Sequence, residues 1–363
     1  MRTMSREYIV SGPFIYGDDF EVRDGYVVVS GTKIKEVGFE RCDADIKGLV
    51  CPAFVNAHTH LGDSIVKDPA FMPLVDLVAP PNGLKHRILN SASPDDIADG
   101  MRSALATMRR TGTCHCIDFR ENGAAGARLL RDVAGNKATI LGRLAPGDTV
   151  EDVLAAADGV GISSTRDLPA GAARAIAEKA KKAGKITGIH AGELNRDDID
   201  TAIDIMPDFL VHMTQAAVPD IRKAADRGIP VVACPRSNAM TGVGLPPLKA
   251  MREAGITLAL GTDNVMLDSP DMFREMEWAD KLCLHDDTYV LRMATLNGAR
   301  LAHLNSGSIL PGKDADLIVF DAESDTFKSS QNLLNTVVRR AAPGDISYFI
   351  DEGKPWRNSS KRS

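Results

Sequence analysis

The sequence predicts an α/β fold: a (β/α)8 TIM barrel carrying a small composite β-sandwich built from the two ends of the chain. Three observations predict it. Short apolar, β-branched runs alternate with helical patterns through the middle of the chain. Several of those runs end on a histidine or an aspartate. Segments at both ends read instead as strands and tight turns, without helices between them. At 363 residues the chain is longer than an ordinary domain, yet it suits one barrel of about 250 residues plus a smaller unit. We place the barrel at 51–310 and the sandwich at 1–50 with 311–363.

Taken in order, residues 8 to 50 alternate β-like runs with turn signals. Tyr26 to Val29 is aromatic and β-branched, Ser30-Gly31 turns, and Lys33 to Val37 alternates again. The apolar run Ala53 to Val55 then opens the first barrel strand and leads into His58-Thr59-His60. Side chains alternate along a strand, so His58 and His60 share a face and Thr59 points away. A polar, proline-rich stretch follows from Asp63 to Arg87, either a lid or a solvated loop, carrying Asp63, Lys67, Lys85 and His86. Next comes a helix with Ser93 at its N-cap, Pro94 in its first position, Asp95 and Asp96 in its first turn and Gly112 as its stop.

Further strand runs are read at Thr113–Phe119, Ala138–Arg143, Gly159–Ser163, Ile186–His190, Phe209–His212, Pro230–Cys234 and Thr257–Gly261. With the strand before His58 they make the eight of a barrel. Helical patterns separate most of them, clearest at Ala170–Ala183 with Gly184 behind it. A last helix is expected at Tyr289–Leu304, and strands return at Asp316–Phe320 and Ile346–Ile350. The basic tail Trp356–Ser363 reads as frayed.

Composition excludes several classes of function. A net charge of −6 argues against a nucleic-acid partner held through phosphates. No apolar run approaches the roughly 20 residues that span a bilayer, so no membrane partner is expected. The start of the chain, with Arg2, Arg6 and Glu7, lacks a signal-peptide core. Cysteines at 42, 51, 114, 116, 234 and 283 are scattered and need no disulfides, which points to the cytoplasm. Self-association stays open.

The chemistry sits at strand ends. Two imidazoles on one strand face are half of what a divalent metal needs from protein. His190 ends the fifth strand run and is followed by Ala191-Gly192-Glu193, His212 ends the sixth, and Asp263 follows the eighth in Leu260-Gly261-Thr262-Asp263-Asn264. Barrels place their active sites at these C-terminal strand ends. Cys114-His115-Cys116 offers metal-binding residue types, but alternation turns His115 away from both cysteines, so we read it as strand interior. Asp118, Arg120 and Glu121 after the second strand and Arg143 after the third are candidates for substrate contact, with structural salt bridges as the alternative. His86 in the long loop is a further candidate.

The stretches Phe54-Val55-Asn56-Ala57-His58-Thr59-His60-Leu61-Gly62, His190-Ala191-Gly192-Glu193, His212, Cys234-Pro235-Arg236-Ser237-Asn238, Gly261-Thr262-Asp263, Gly307-Ser308-Ile309 and Asp314-Ala315-Asp316-Leu317-Ile318 together resemble the amidohydrolase superfamily, in its mononuclear deaminase and triazine-hydrolase branch. The resemblance implies hydrolysis of C–N, less often C–halogen, bonds on unsaturated heterocycles of small size. It implies one divalent metal, zinc ahead of iron, held by His58, His60, His190 and Asp263. Asp263 would also take a proton from the attacking water. Glu193 would shuttle a proton to the ring nitrogen and then to the leaving ammonia. His212 would hydrogen-bond the attacking hydroxide or the tetrahedral oxygen, with a fifth-ligand or outer role as the alternative. Asn238 falls where relatives place groups that orient substrate or loops.

Relatives with two metals bridge them through a lysine after the fourth strand; Gly159-Val160-Gly161-Ile162-Ser163-Ser164 supplies none. The other zinc-deaminase design, with Pro-Cys-x-x-Cys, is absent, since Cys234-Pro235-Arg236-Ser237 does not match it. The expectation is a deaminase of an amino-substituted purine, pyrimidine or nucleoside. Hydrolysis of a cyclic amide or a halogenated ring on the same metal is the alternative. An inactive metal-binding relative is a third reading, against which Glu193 and His212 stand.

Overall fold

The computed structural model describes residues 7–358 and divides them into two compact units. One takes the described residues up to Val55, Met108–Cys114 and those from Asp271 onward; the other takes Asn56–Thr107 and His115–Pro270. Arg2 and Arg6, and residues 359–363 of the basic tail, lie outside the described residues.

In the first unit β1 (Glu7–Tyr16), β2 (Glu21–Ser30) and β3 (Lys33–Gly38) form an antiparallel meander, while β4 (Ile46–Lys47) and β5 (Leu49–Pro52) run parallel to β1. Val27 and Val29 lie one turn of the pleat apart and enter the same core as Val10, Phe14 and Ile34.

The second sheet is parallel. It comprises β6 (Phe54–His60), β7 (Thr113–Arg120), β8 (Ala138–Gly142), β9 (Gly159–Ile162), β10 (Ile186–Ala191), β11 (Phe209–His212), β12 (Val231–Ala233), β13 (Leu258–Leu260) and β14 (Asp263–Asn264). Every residue of these nine strands is buried, which is why they read as continuous apolar runs. The strands neighbour one another in chain order from β6 to β13. The last run, 258–264, is bonded on both sides: β13 pairs with β12 and β14 pairs with β6. Phe119 fills the space between neighbouring strands, and a Cβ added at Gly161 or Gly188 would come within 2.5 and 2.6 Å of its ring. Helices follow the strands and lie over them, among them Gly123–Ala134 after β7 and Ala172–Lys182 after β9.

The helix expected after Ser93 spans Pro94–Arg110, with Ser93 Oγ accepting the Asp96 amide at 3.1 Å. Two expectations need correction. The helix expected at Tyr289–Leu304 is two, Asp287–Ala294 and Leu296–Leu301, broken at Thr295, whose hydroxyl donates back to the Leu291 carbonyl at 2.7 Å, and it is not the last, because Leu333–Arg339 forms another helix among the later strands. Of the tail read as frayed, Trp356 and Arg357 belong to a strand. β15 (Leu317–Phe320) pairs with β5, β16 (Ile346–Asp351) pairs with β15, and β17 (Lys354–Arg357) pairs with β16. Trp356 sits opposite Phe349, with the Arg109 guanidinium 4.0 Å from its ring centroid. Both ends of the chain therefore share one eight-stranded sheet. Among the described residues no helix is long and apolar enough to cross a membrane.

Candidate functional site

Strand alternation delivers His58 and His60 to one face of β6, and the turn after β13 brings Asp263 against them. Asp263 Oδ1 lies 3.2 Å from His58 Nε2 and 3.4 Å from His60 Nε2. His190, at the end of β10, places its Nε2 3.2 Å from that of His58. His212 ends β11 and joins His58 and His190 in one cluster, and it joins Glu193 and Asp263 in another, with ligand atoms within 4.8 Å of one another in each. Thr59 points away, as alternation requires, and donates to Asp118 Oδ2 at 3.1 Å. His212 and Asp263 hold φ values of 74° and 60°, in the left-handed region that non-glycine residues adopt at a cost of roughly 1 kcal/mol or more.

The donor set fits a divalent cation. His60 Nδ1 is 3.0 Å from the Phe119 carbonyl and 3.0 Å from Glu121 Oε1, so this nitrogen carries the proton. His190 Nδ1 is likewise committed to the Ile162 carbonyl at 3.0 Å. His60 then turns its Nε2 lone pair toward Asp263 Oδ1, a buried oxygen with no hydrogen bond, and His190 turns its own toward His58 Nε2. Lone pairs converging on a buried anionic oxygen repel one another unless a cation lies among them. Burial keeps the imidazoles neutral: His60 is pushed down to about 3 by desolvation and the nearby Lys85, and burial lowers His58 and His190 too. Burial opposes the charge on Asp263 as well, but its close contact with the His58 ring outweighs it and holds the carboxyl well below its usual range. Asp263 Oδ2 accepts from Ser237 Oγ at 2.6 Å, which aims Oδ1 at the histidines.

Glu193 lies beside this cluster. Its Oε2 is 3.5 Å from His212 Nε2, and burial raises its carboxyl above the ordinary glutamate range. Gly192 turns the chain at φ 64°, where a Cβ would strike Ile199 at 2.6 Å. Asp198 fixes that turn, accepting the Gly192 amide and the Ser164 hydroxyl, each at 2.8 Å. On the far side of His212, Asn238 Nδ2 donates to Nδ1 at 3.0 Å, which leaves Nε2, facing the cluster, as the ring nitrogen that carries a proton. A cavity of about 330 Å³ opens over these groups, with His60, Glu193, His212 and Asp263 in its floor and Leu74, Val78 and Pro80 in its wall. That volume suits a small ligand.

The other sequence candidates separate into two groups. Arg143 reaches the cavity wall. Asp118, Arg120 and Glu121 lie behind β6 in a buried ionic network and do not line this cavity. Arg120 pairs with both Asp118 and Glu121, and Asp118 also accepts the Leu61 amide at 2.5 Å. Glu121 gathers His60, Lys85 at 2.7 Å and Arg143 at 3.5 Å. His86 and Glu121 line a neighbouring cavity, and Asn238 touches His212. His115 bonds Thr139 at 2.9 Å inside the sheet. Asp63 and Lys85 are buried, and the stretch from 61 to 91 holds a 3-10 turn and the helices Leu74–Val78 and Leu84–Ser91. Sequence reading missed Ser237 and Asp198 as orienting groups and Lys85 as a buried one. Ser237 stood inside a motif already noted, whereas nothing local marks Asp198.

Comparison with known proteins agrees with this picture. The amidohydrolase family matches residues 49–354. An uncharacterized protein of Methanocaldococcus jannaschii is 35% identical over 94% of this chain and 97% of its own length. A 5-methylthioadenosine/S-adenosylhomocysteine deaminase of Pyrococcus abyssi is 26% identical over 94% of this chain and 92% of its own. In fold, the chain is similar to an adenosine deaminase from Xanthomonas campestris crystallised with bound zinc, at a TM-score of 0.80 and 22% identity over 96% of this chain and 92% of that one. With a family match across most of its length and these histidines at these strand ends, the chain belongs to the amidohydrolase family.

Proposed function

We propose that this protein is a metal-dependent hydrolase that deaminates an amino-substituted purine, pyrimidine or nucleoside. The observation that carries the reading is Glu193, a carboxyl raised by burial and set at the cavity floor beside His212 and Asp263. A site that only binds metal has no need of it. The deaminase named among the relatives and the zinc in the similar structure support the same reading.

His58, His60, His190 and Asp263 would hold one divalent ion, zinc in our reading, and that ion would supply the Lewis acidity that makes water a nucleophile near neutral pH. Asp263, anionic and fixed by Ser237, accepts the proton that the attacking water gives up. Glu193 delivers a proton to the ring nitrogen as water adds to the amino-bearing carbon, takes up the hydroxyl proton of the adduct as the new carbonyl forms, and passes it to the departing amine; the proton held by Asp263 then restores Glu193. His212 donates from Nε2 to the oxygen that becomes negative in the transition state, with Asn238 holding its tautomer. We read the run 258–264 as the eighth strand that closes the parallel sheet into a barrel, and the sheet of both chain ends as the composite sandwich. Every ligand falls in the proposed barrel segment 51–310.

The test is a panel of amino-purines, amino-pyrimidines and their nucleosides, assayed for ammonia with zinc-loaded protein. At least one should release ammonia in proportion to product. Silence across the panel, with halide release or ring opening from halogenated rings or cyclic amides, would move the assignment to those reactions. Silence toward all of these would favour a binding protein.

A further inference from the structure

Lys85 is an unusual residue for its place. It sits on the helix Leu84–Ser91, in a stretch whose composition suits a surface loop, yet it is only 2% exposed. Taking an ammonium out of water is costly unless its donors are satisfied. Here two are met by hydrogen bonds from separate segments, and a third segment brings a carboxyl close. Nζ lies 2.7 Å from Glu121 Oε1 at the end of β7, 3.1 Å from Asn264 Oδ1 in β14, and 3.8 Å from Asp63 Oδ2 in the turn after β6.

Two of those partners lead directly to proposed metal ligands. The Glu121 oxygen that takes Lys85 is also the one 3.0 Å from His60 Nδ1. Asn264 follows Asp263 and stands opposite His60 in the pairing of β14 with β6. On its other side Lys85 anchors the stretch that walls the cavity, whose Leu77 packs against Met266 and Leu267 just beyond Asn264.

We propose that Lys85 is a positioning residue that locks the cavity-wall segment 66–92 onto the metal centre, holding His60 through Glu121 and Asp263 through Asn264. Docking of the wall and ordering of two ligands are then one event. The claim rests on the metal centre proposed above, and its test does not depend on turnover.

The test compares wild type, Lys85→Met and Lys85→Arg in two measurements. The first is zinc affinity by competition with a chromophoric chelator, at a temperature where every variant is folded. The second is the rate of tryptic cleavage at Lys67 and Arg87, both exposed within the segment, read by mass. Lys85→Met should weaken zinc binding about 10- to 100-fold, the scale for losing a group that orients a ligand, and cleavage should accelerate. Lys85→Arg, keeping charge and reach, should recover part of both. A role in stability alone would lower the melting temperature and leave zinc affinity unchanged, and that result would overturn the proposal. If Lys85→Met does not fold, Asn264→Ala decides: it should weaken zinc binding, and wild-type affinity there would count against the proposal. Should wild type itself bind no zinc, the metal reading fails, and the cleavage comparison still settles whether Lys85 holds the wall.

Discussion

Ser237→Ala isolates the support beneath Asp263. Ser237 is fully buried, Asp263 nearly so, and their 2.6 Å contact falls in the range of an O–H donor on an ionised carboxylate. Hydrogen bonds to charged groups contribute roughly 1.5–3 kcal/mol, against about 0.5–1.5 for neutral pairs. At about 1.4 kcal/mol per decade the loss corresponds to roughly a 10- to 150-fold weakening of whatever depends on Asp263 being held. The missing oxygen is smaller than a methyl group, so a packing defect adds little. Without the hydroxyl, Oδ2 is buried with no donor and the carboxylate can swing away from the histidines. Zinc affinity by chelator competition and turnover should therefore fall together by about 10- to 100-fold. Unchanged zinc affinity and unchanged turnover would refute the claim that Ser237 aims Asp263.

Two further outcomes follow from the same geometry. Wild type should hold one zinc per chain by elemental analysis, and Asp263→Ala should lose the ion and all turnover at once; full metal with full turnover in that variant would remove Asp263 from the ligand set. Asp63→Asn should show a pH-dependent gain in stability. Burial outweighs Lys85 and pushes the Asp63 carboxyl up to about 8, so the folded chain keeps a proton that an ordinary aspartate gives up near 3.8. Between those values the unfolded state binds fewer protons, and wild-type stability falls as pH rises. The denaturation midpoint of Asp63→Asn should gain on wild type from about pH 4 to 8; a constant difference would show that Asp63 is ionised in the fold.

Much of the fold was legible because a parallel sheet buried on both faces leaves a simple record. The runs read at Thr113–Phe119, Ile186–His190 and Phe209–His212 appear as Thr113–Arg120, Ile186–Ala191 and Phe209–His212, since each is apolar and β-branched between helix signals. His58, His60, His190, His212 and Asp263 could be singled out because strand ends meet at one end of such a sheet. The buried ionic network was not legible. Lys85, Arg120 and Glu121 are types that usually face water, and their partners at Asp63, Asp118 and Asn264 lie nearby only in three dimensions. Charge in Asp63–Arg87 suggested solvent for the same reason. The break at Thr295 was hidden too, because the pattern of apolar residues continues through it while the backbone alone leaves the helix, at φ −131° and ψ −90°.

In the proposed reaction Glu193 carries protons during deamination. Glu193→Gln preserves size and hydrogen-bonding reach beside His212 but cannot shuttle, and the carboxyl is not among the four proposed ligands. The decisive measurement is single-turnover ammonia release by zinc-loaded Glu193→Gln, with metal content determined on the same sample. Full zinc occupancy, little change in substrate affinity and a rate lower by about 10² or more are expected. Near-normal ammonia release at full occupancy would contradict that role and assign the proton transfer to another residue.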